Sequence, residues 1–254
     1  MRNIWIIAKN TFKLEVREKI LYAIIVFAIL YMLSSLFLAD LVLKELPMVK
    51  SFALAGVYFF NAILAIFLGT TSFFKDVDRK VVYFILAKPV SRAQFLLGKF
   101  FGLCMVLLVT TLIFMVAYLA VVAYEGGGFD AMGIAAIGMQ YLEMMLFLSF
   151  ALFVSTFSTS LLSIVYTSAV FFAGHVVSQL VADAQAINIT GIKLRLVQAL
   201  YYIFPNLEKF DIRNYAIHNI AAPLNSTLLA IAYAAVYIIL LLSAGVWIFN
   251  KKEV

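Results

Sequence analysis

The sequence predicts an all-α membrane protein with six transmembrane helices, and three observations carry that prediction. Of its 254 residues, 65% are hydrophobic and only 13% are charged, well beyond the roughly 45–50% apolar usage of soluble domains. The apolar residues collect into six runs, each long enough to cross about 30 Å of hydrocarbon as a helix. Those runs are continuously apolar, whereas the strands of a membrane barrel would alternate over about ten residues. Residues 1–254 are accordingly expected to form a single transmembrane domain.

Taken in order, residues 1–19 read as an amphipathic helix. Trp5, Ala8, Phe12 and Val16 share one face, and Lys9, Lys13 and Arg17, spaced by four, share another. Such a helix is expected in the membrane interface, with its bases toward anionic headgroups. Glu15 and Glu18 ahead of the first apolar run argue against a cleavable signal peptide. The first span covers Ile20–Ala39, and a short loop from Asp40 to Ser51, with Pro47, leads to the second, Phe52–Phe74, which contains Asn61.

The loop at 75–94 follows. It and the start of the third span carry Lys75, Arg79, Lys80, Lys88, Arg92 and Lys99, a basic run expected in water beside the membrane. Val81, Val82, Phe84, Ile85 and Leu86 can form one short apolar helix face, which Pro89 ends because proline lacks the N–H and clashes with the preceding turn. Ser91 is placed to cap the next helix near Arg92. The third span, Phe95–Ala123, opens with Gly98 and Gly102, a small-xxx-small step suited to close helix packing. Gly126, Gly127 and Gly128 make a turn into the fourth span, Ala135–Phe157. The turn Ser155–Ser160 leads to the fifth, Leu161–Ala182.

Residues 183–225 form the longest loop. Ile192, Leu196, Ala199, Leu200 and Ile203 keep a helical period and are stopped by Pro205, so a short amphipathic helix is expected there. Tyr201, Tyr202 and Phe204 suit a membrane interface. Thr227–Phe249 is the sixth span. The bases of the N-terminal segment, the 75–94 loop and the C-terminal tail place both termini in the cytoplasm of a cell inner or plasma membrane by the positive-inside rule.

The net charge of +6 falls mainly where lipid headgroups and membrane orientation account for it, which argues against nucleic acid as a partner. The one cysteine, Cys104, excludes an intrachain disulfide. There is no H-E-x-x-H and no G-x-S-x-G, so no catalytic or metal-ligating residue is assigned. No G-x-x-x-x-G-K-[ST] phosphate loop occurs either, and any ATP must be bound by another chain. Ionisable residues inside a span mark functional sites by default, and Glu143 and His175 stand out. Asn61, Gln140 and Gln179 are polar residues on the same three spans. They can fasten helices, line a translocation path or, for Glu143 and His175, relay a proton.

An acidic and basic cluster, a short hydrophobic helix, then Ala87-Lys88-Pro89-Val90-Ser91-Arg92 and Phe95-Leu96-Leu97-Gly98-Lys99-Phe100 resemble the membrane subunits of type-two (ABC-2 type) ABC exporters, densest over Phe67–Gly102. The resemblance implies a permease that moves a lipid, drug, peptide or hydrophobic polymer precursor outward by alternating access. It implies a cytoplasmic ABC ATPase dimer as partner, holding ATP and magnesium while this chain carries no cofactor. A second permease copy, identical or related, is implied as well, along with contacts to lipids and room for a periplasmic or accessory protein.

In that family the loop after the second span is a coupling helix gripped by the ATPase, here Arg79, Lys80, Val81, Val82, Phe84, Ile85, Lys88, Pro89 and Arg92. The N-terminal segment is an elbow helix, here Trp5, Lys9, Phe12, Lys13 and Arg17. Short helices between the last two spans close an outer gate, here Leu196, Leu200, Tyr201 and Phe204. Two other readings stay open: mechanical work on a membrane or periplasmic partner without transport, and an ATP-independent transporter or channel.

Overall fold

In hydrocarbon every backbone N–H and C=O must find a protein partner, and a long, continuously apolar run finds them within its own helix. The computed structural model describes residues 2–41, 46–78, 90–186 and 205–251. Its helices are α1 (Arg2–Glu15), α2 (Lys19–Leu41), α3 (Leu46–Asp78), α4 (Arg92–Tyr124), α5 (Ala131–Ser155), α6 (Ser160–Ala186), the short α7 (Arg213–Ile217) and α8 (Leu224–Lys251), with a 3₁₀ turn at Glu208–Phe210. No strand occurs among the described residues. Six of the helices, α2 to α6 and α8, are long and apolar enough to cross a membrane. The protein is multi-pass and all-α.

Several helices outrun their apolar cores, because hydropathy marks the buried stretch and not where the hydrogen-bond ladder ends. α3 starts at Leu46, which turns half of the expected 40–51 loop into helix. Pro47 sits in its first turn, where a missing N–H costs no ladder bond. Ser91 caps α4: its hydroxyl accepts from the Gln94 N–H at 3.2 Å, and the Gln94 side chain accepts from the Ser91 N–H at 3.3 Å. This reciprocal capping box satisfies two donors at the helix start. The turn after α4 needs glycine, since Gly126 and Gly128 have φ of 78° and 63°, a region side chains disfavour. The helix expected over 192–203 lies outside the described residues.

Successive spans alternate direction. One end of the bundle, here called proximal, holds α1, the starts of α2, α4 and α6, and the last turns of α3, α5 and α8. The other end is distal. α3 and α5 are the most enclosed spans, while α2, α6 and α8 keep most of their surface outside. Leu64, Leu68, Phe95, Leu103, Phe114, Leu146 and Phe147 fill the core. Close contact is needed at Gly69, where an added Cβ would lie 2.5 Å from that of Ala151.

Charged pairs staple both ends. Proximally, Lys99 is only 2% exposed; its ammonium lies 2.6 Å from an Asp76 carboxylate oxygen and donates to the Ser72 carbonyl and hydroxyl, each at 2.8 Å. The expectation that Lys99 sits in water is therefore corrected: an ion pair with two further acceptors satisfies it inside the protein. Lys75 reaches back to Glu18 at 2.9 Å and Glu15 at 3.6 Å. Distally, Lys50 pairs with Asp130 at 2.8 Å, and Tyr118 donates to the same carboxylate at 2.7 Å. Burial opposes ionisation of Asp130, but hydrogen bonds from Lys50, the Gly133 N–H and Tyr118 outweigh it and hold the carboxyl below the ordinary aspartate range.

α1 runs beside the first turns of α4 in the same direction. Asn3 donates to Gln94 at 3.4 Å. A Cβ added at Gly98 would meet Ile7 at 2.7 Å, and one at Gly102 would meet the Ala8 carbonyl at 2.6 Å. The glycine step thus seats α1 on α4. The buried stripe of α1 is Ala8, Thr11 and Glu15. Phe12 and Val16 pack at its edge, and Trp5 faces outward at 63% exposure. Lys9, Lys13 and Arg17 are exposed.

Candidate functional site

The candidate site lies midway along the bundle, where α3, α5 and α6 each present one polar group. On α5, Glu143 is 1% exposed, with apolar neighbours Leu146 and Phe147 below it on the same helix. A carboxylate so placed requires partners. Tyr58 of α3 supplies one, its hydroxyl 2.8 Å from Glu143 Oε1. His175 of α6 supplies the other, with Nε2 3.1 Å from the same oxygen. Tyr58 and His175 also touch each other through the hydroxyl and Nε2. The remaining ring nitrogen, Nδ1, lies 2.8 Å from the Phe171 carbonyl. A carbonyl only accepts, so Nδ1 carries a proton and Nε2 is left to face the tyrosine and the carboxylate.

Of the residues singled out from the sequence, Glu143 and His175 are in direct contact. Asn61, on α3, turns instead to α4, where Thr111 donates to its Oδ1 at 3.2 Å. The Nδ2 of Asn61 and both amide atoms of Gln140 are buried without a hydrogen-bond partner among the described residues. Gln179 lies on α6, with its side chain outside the described set. Arg79, Lys80, Val81, Val82, Phe84, Ile85, Lys88, Pro89, Leu196, Leu200, Tyr201 and Phe204 are also outside the described residues. Arg92 is described: its guanidinium donates to the Phe249 carbonyl and lies 5.3 Å from the Phe249 ring centre. It therefore binds the last turn of α8, where helix carbonyls and the dipole favour a cation.

Sequence reasoning missed Tyr58. Tyr58 lies one turn before Asn61, a spacing that puts both on neighbouring faces of α3, but tyrosine in an apolar run reads as core. On the distal side, residues 205–217 fold back onto the bundle. The Leu207 N–H donates to the Gly174 carbonyl at 3.4 Å, and the Asn206 N–H donates to the Tyr233 hydroxyl at 3.0 Å. Leu207 and Phe210 are fully buried. Arg213 is centred 5.0 Å from the Tyr58 ring and its Nε lies 2.8 Å from Asp211 Oδ1. Burial raises the Asp211 carboxyl, and Arg213 more than reverses this, keeping it below the usual range. An ion pair thus sits over the tyrosine that bonds the buried glutamate.

Chemically, this cluster offers a carboxylate, an imidazole and a phenol that can accept, donate or share a proton. Among the described residues no group of three or more His, Cys, Asp or Glu side chains is placed to hold a metal.

Six membrane-length helices enclose this polar cluster at mid-depth, with a distal segment folded over it, and make the chain a multi-pass membrane protein. A family model described as ABC-2 family transporter protein matches residues 5–254, and the chain belongs to that family. It is the membrane component of an ABC-type transporter, distinct from the ATPase, and permeases of this family work with a cytoplasmic ABC ATPase. No curated protein matches the sequence.

Proposed function

We propose that this chain is the membrane-spanning subunit of an ATP-driven exporter for a hydrophobic or amphipathic substrate, with both termini and the proximal end facing the cytoplasm. The observation that carries the proposal is the family match across nearly the whole chain. A supporting observation is the bracing on either side of segment 79–89. Before it, Lys75 and Asp76 tie α3 to Glu15, Glu18 and Lys99. After it, Arg92 ties α4 to the end of α8. A push on the segment from an ATPase is therefore delivered to α1, α4 and α8 together, because paired charges and packed helices move as units and do not deform continuously.

In this reading the Val81–Lys88 helix docks in an ATPase groove, and Arg79 and Lys80 set its orientation by charge. Two permease copies, identical or related, form the complete pathway. Tyr58, Glu143 and His175 line the path at mid-depth, Asn61, Gln140 and Gln179 extend that lining, and the segment between α6 and α8 closes it distally. ATP and magnesium stay with the ATPase.

The test is co-expression with the candidate ATPase, followed by pull-down and ATP hydrolysis, with wild type beside Val82→Asp. A stable complex whose hydrolysis is lost or uncoupled by the substitution supports the exporter. A chain that binds no ATPase yet conducts substrate in liposomes on its own would replace it with an ATP-independent transporter.

A further inference from the structure

Beside the described site, the outer surface of the bundle holds an apolar cavity of about 600 Å³ between α1, α4 and α5. Its walls include Trp5, Ala8, Phe101, Met105, Leu108 and Tyr141. Tyr141 contributes only its ring, because its hydroxyl already donates to the Cys104 carbonyl at 3.1 Å. The volume falls in the roughly 300–1,000 Å³ range of small-ligand sites, and the wall supplies no free polar group to fix a polar ligand. An apolar chain fits it.

The mouth has a different character. Trp5, Phe101 and Leu108 are 63%, 48% and 42% exposed, so the cavity opens sideways from the bundle. Arg2 and Lys9, both exposed, lie three residues before and four after Trp5, on the same side of α1, which corrects the expectation that Trp5 and Lys9 occupy different faces. The inner wall, Leu108 and Tyr141, belongs to membrane-spanning segments of α4 and α5, out of reach of a soluble protein. α1 stands beside the start of α4, where Asn3 meets Gln94, which sets its bases at the proximal edge of the spans. Apolar depth with cationic rim and an interfacial tryptophan is complementary to one kind of molecule: a lipid with an acyl chain and an anionic headgroup.

We propose that this groove is a binding site for an anionic phospholipid, one acyl chain in the cavity and its headgroup phosphate on Arg2 and Lys9. Bound there, the lipid fills the seam between α1 and the α4–α5 pair and fixes α1 against the bundle. The proposal uses family membership only to place the chain in a membrane; it does not depend on an ATPase contact, and its test contains no ATPase.

The experiment uses the full chain carrying Trp247→Phe, which leaves Trp5 as the sole tryptophan of the two. It is placed in phosphatidylcholine nanodiscs containing a small fraction of lipid brominated on the acyl chain, either phosphatidylglycerol or phosphatidylcholine. Expected is saturable quenching of Trp5 that needs several-fold less brominated phosphatidylglycerol than brominated phosphatidylcholine. Lys9→Gln, on an exposed face, should weaken that preference about fivefold, the contribution of one base at a membrane surface, and Arg2→Gln should act alike. Cys104 also lines the cavity, and Cys104→Phe, which narrows it by one ring, should weaken the saturable quenching several-fold while circular dichroism stays unchanged. Equal quenching by both lipids would make the groove ordinary lipid-facing surface and overturn the proposal. Absence of quenching by either, meaning that a second copy of the chain covers the groove, would overturn it as well.

Discussion

Tyr58 is the residue on which the mid-depth cluster turns, since its hydroxyl touches both Glu143 and His175. Removing that hydroxyl leaves the carboxylate with one partner. Tyr58→Phe is expected to lower stability by about 1 kcal/mol, the scale of a hydrogen bond between membrane helices, measured by denaturant unfolding in detergent. If the cluster lines the path, the same substitution also changes the relative transport of substrates with different headgroups. An unchanged preference with lowered stability would make it a fastening only. Gly174 acts at the same scale by being small: an added Cβ would lie 2.8 Å from the Pro205 carbonyl and closer still to Leu207. Gly174→Ala should loosen the 205–217 segment, and faster hydrogen exchange at the Leu207 and Phe210 amides is the readout.

At the scale of elements, the proximal staple makes α3 and α4 a pair. Lys99→Met strands the Asp76 carboxylate in a mostly buried place and is expected to cost about 3–5 kcal/mol. The double variant Lys99→Met with Asp76→Leu should recover most of that loss, because two apolar groups leave no buried charge. Equal losses in single and double variants would show that the pair contributes through packing alone. α1 depends on the glycine step of α4 in the same way. Gly102→Val should expel α1, costing about 1–3 kcal/mol by overpacking, and would appear as faster tryptic cleavage after Lys13 or Arg17.

Across the molecule, the distal staple between Lys50 and Asp130 links the start of α3 to the start of α5. Since the folded carboxyl titrates below its unfolded value, the unfolded chain binds more protons between the two, so stability rises with rising pH across that interval. The contribution is complete above an ordinary aspartate pKa of about 4 and is lost as pH drops through the lower folded value. Asp130→Asn should therefore be less stable than wild type at neutral pH, with the gap closing below about pH 4. A gap that stays constant across this range would mean the carboxylate charge is not what stabilises the staple. The exposed apolar faces of α2, α6 and α8, with Phe27, Phe37, Phe172 and Ile239 outward, are suited to lipid or to a second permease copy.

The sequence by itself determined the class: six continuous apolar runs force six helices, because hydrocarbon leaves the backbone no other way to satisfy its polar groups. It also determined local punctuation, such as the Ser91 cap and the glycine turn after α4, since both depend only on neighbouring residues. It marked Glu143 and His175, whose charges are conspicuous against an apolar background. Only the tertiary structure decided what those residues meet. Tyr58 and Leu207 look like ordinary core residues until the helices are placed. Lys99 counts as a base of the water-facing run until Asp76 is seen beside it. Asn61 has the spacing to join the glutamate but rotates toward Thr111. Helix formation is governed by interactions a few residues apart, whereas these pairings depend on the rotation and crossing of spans, which a single hydropathy pattern does not encode.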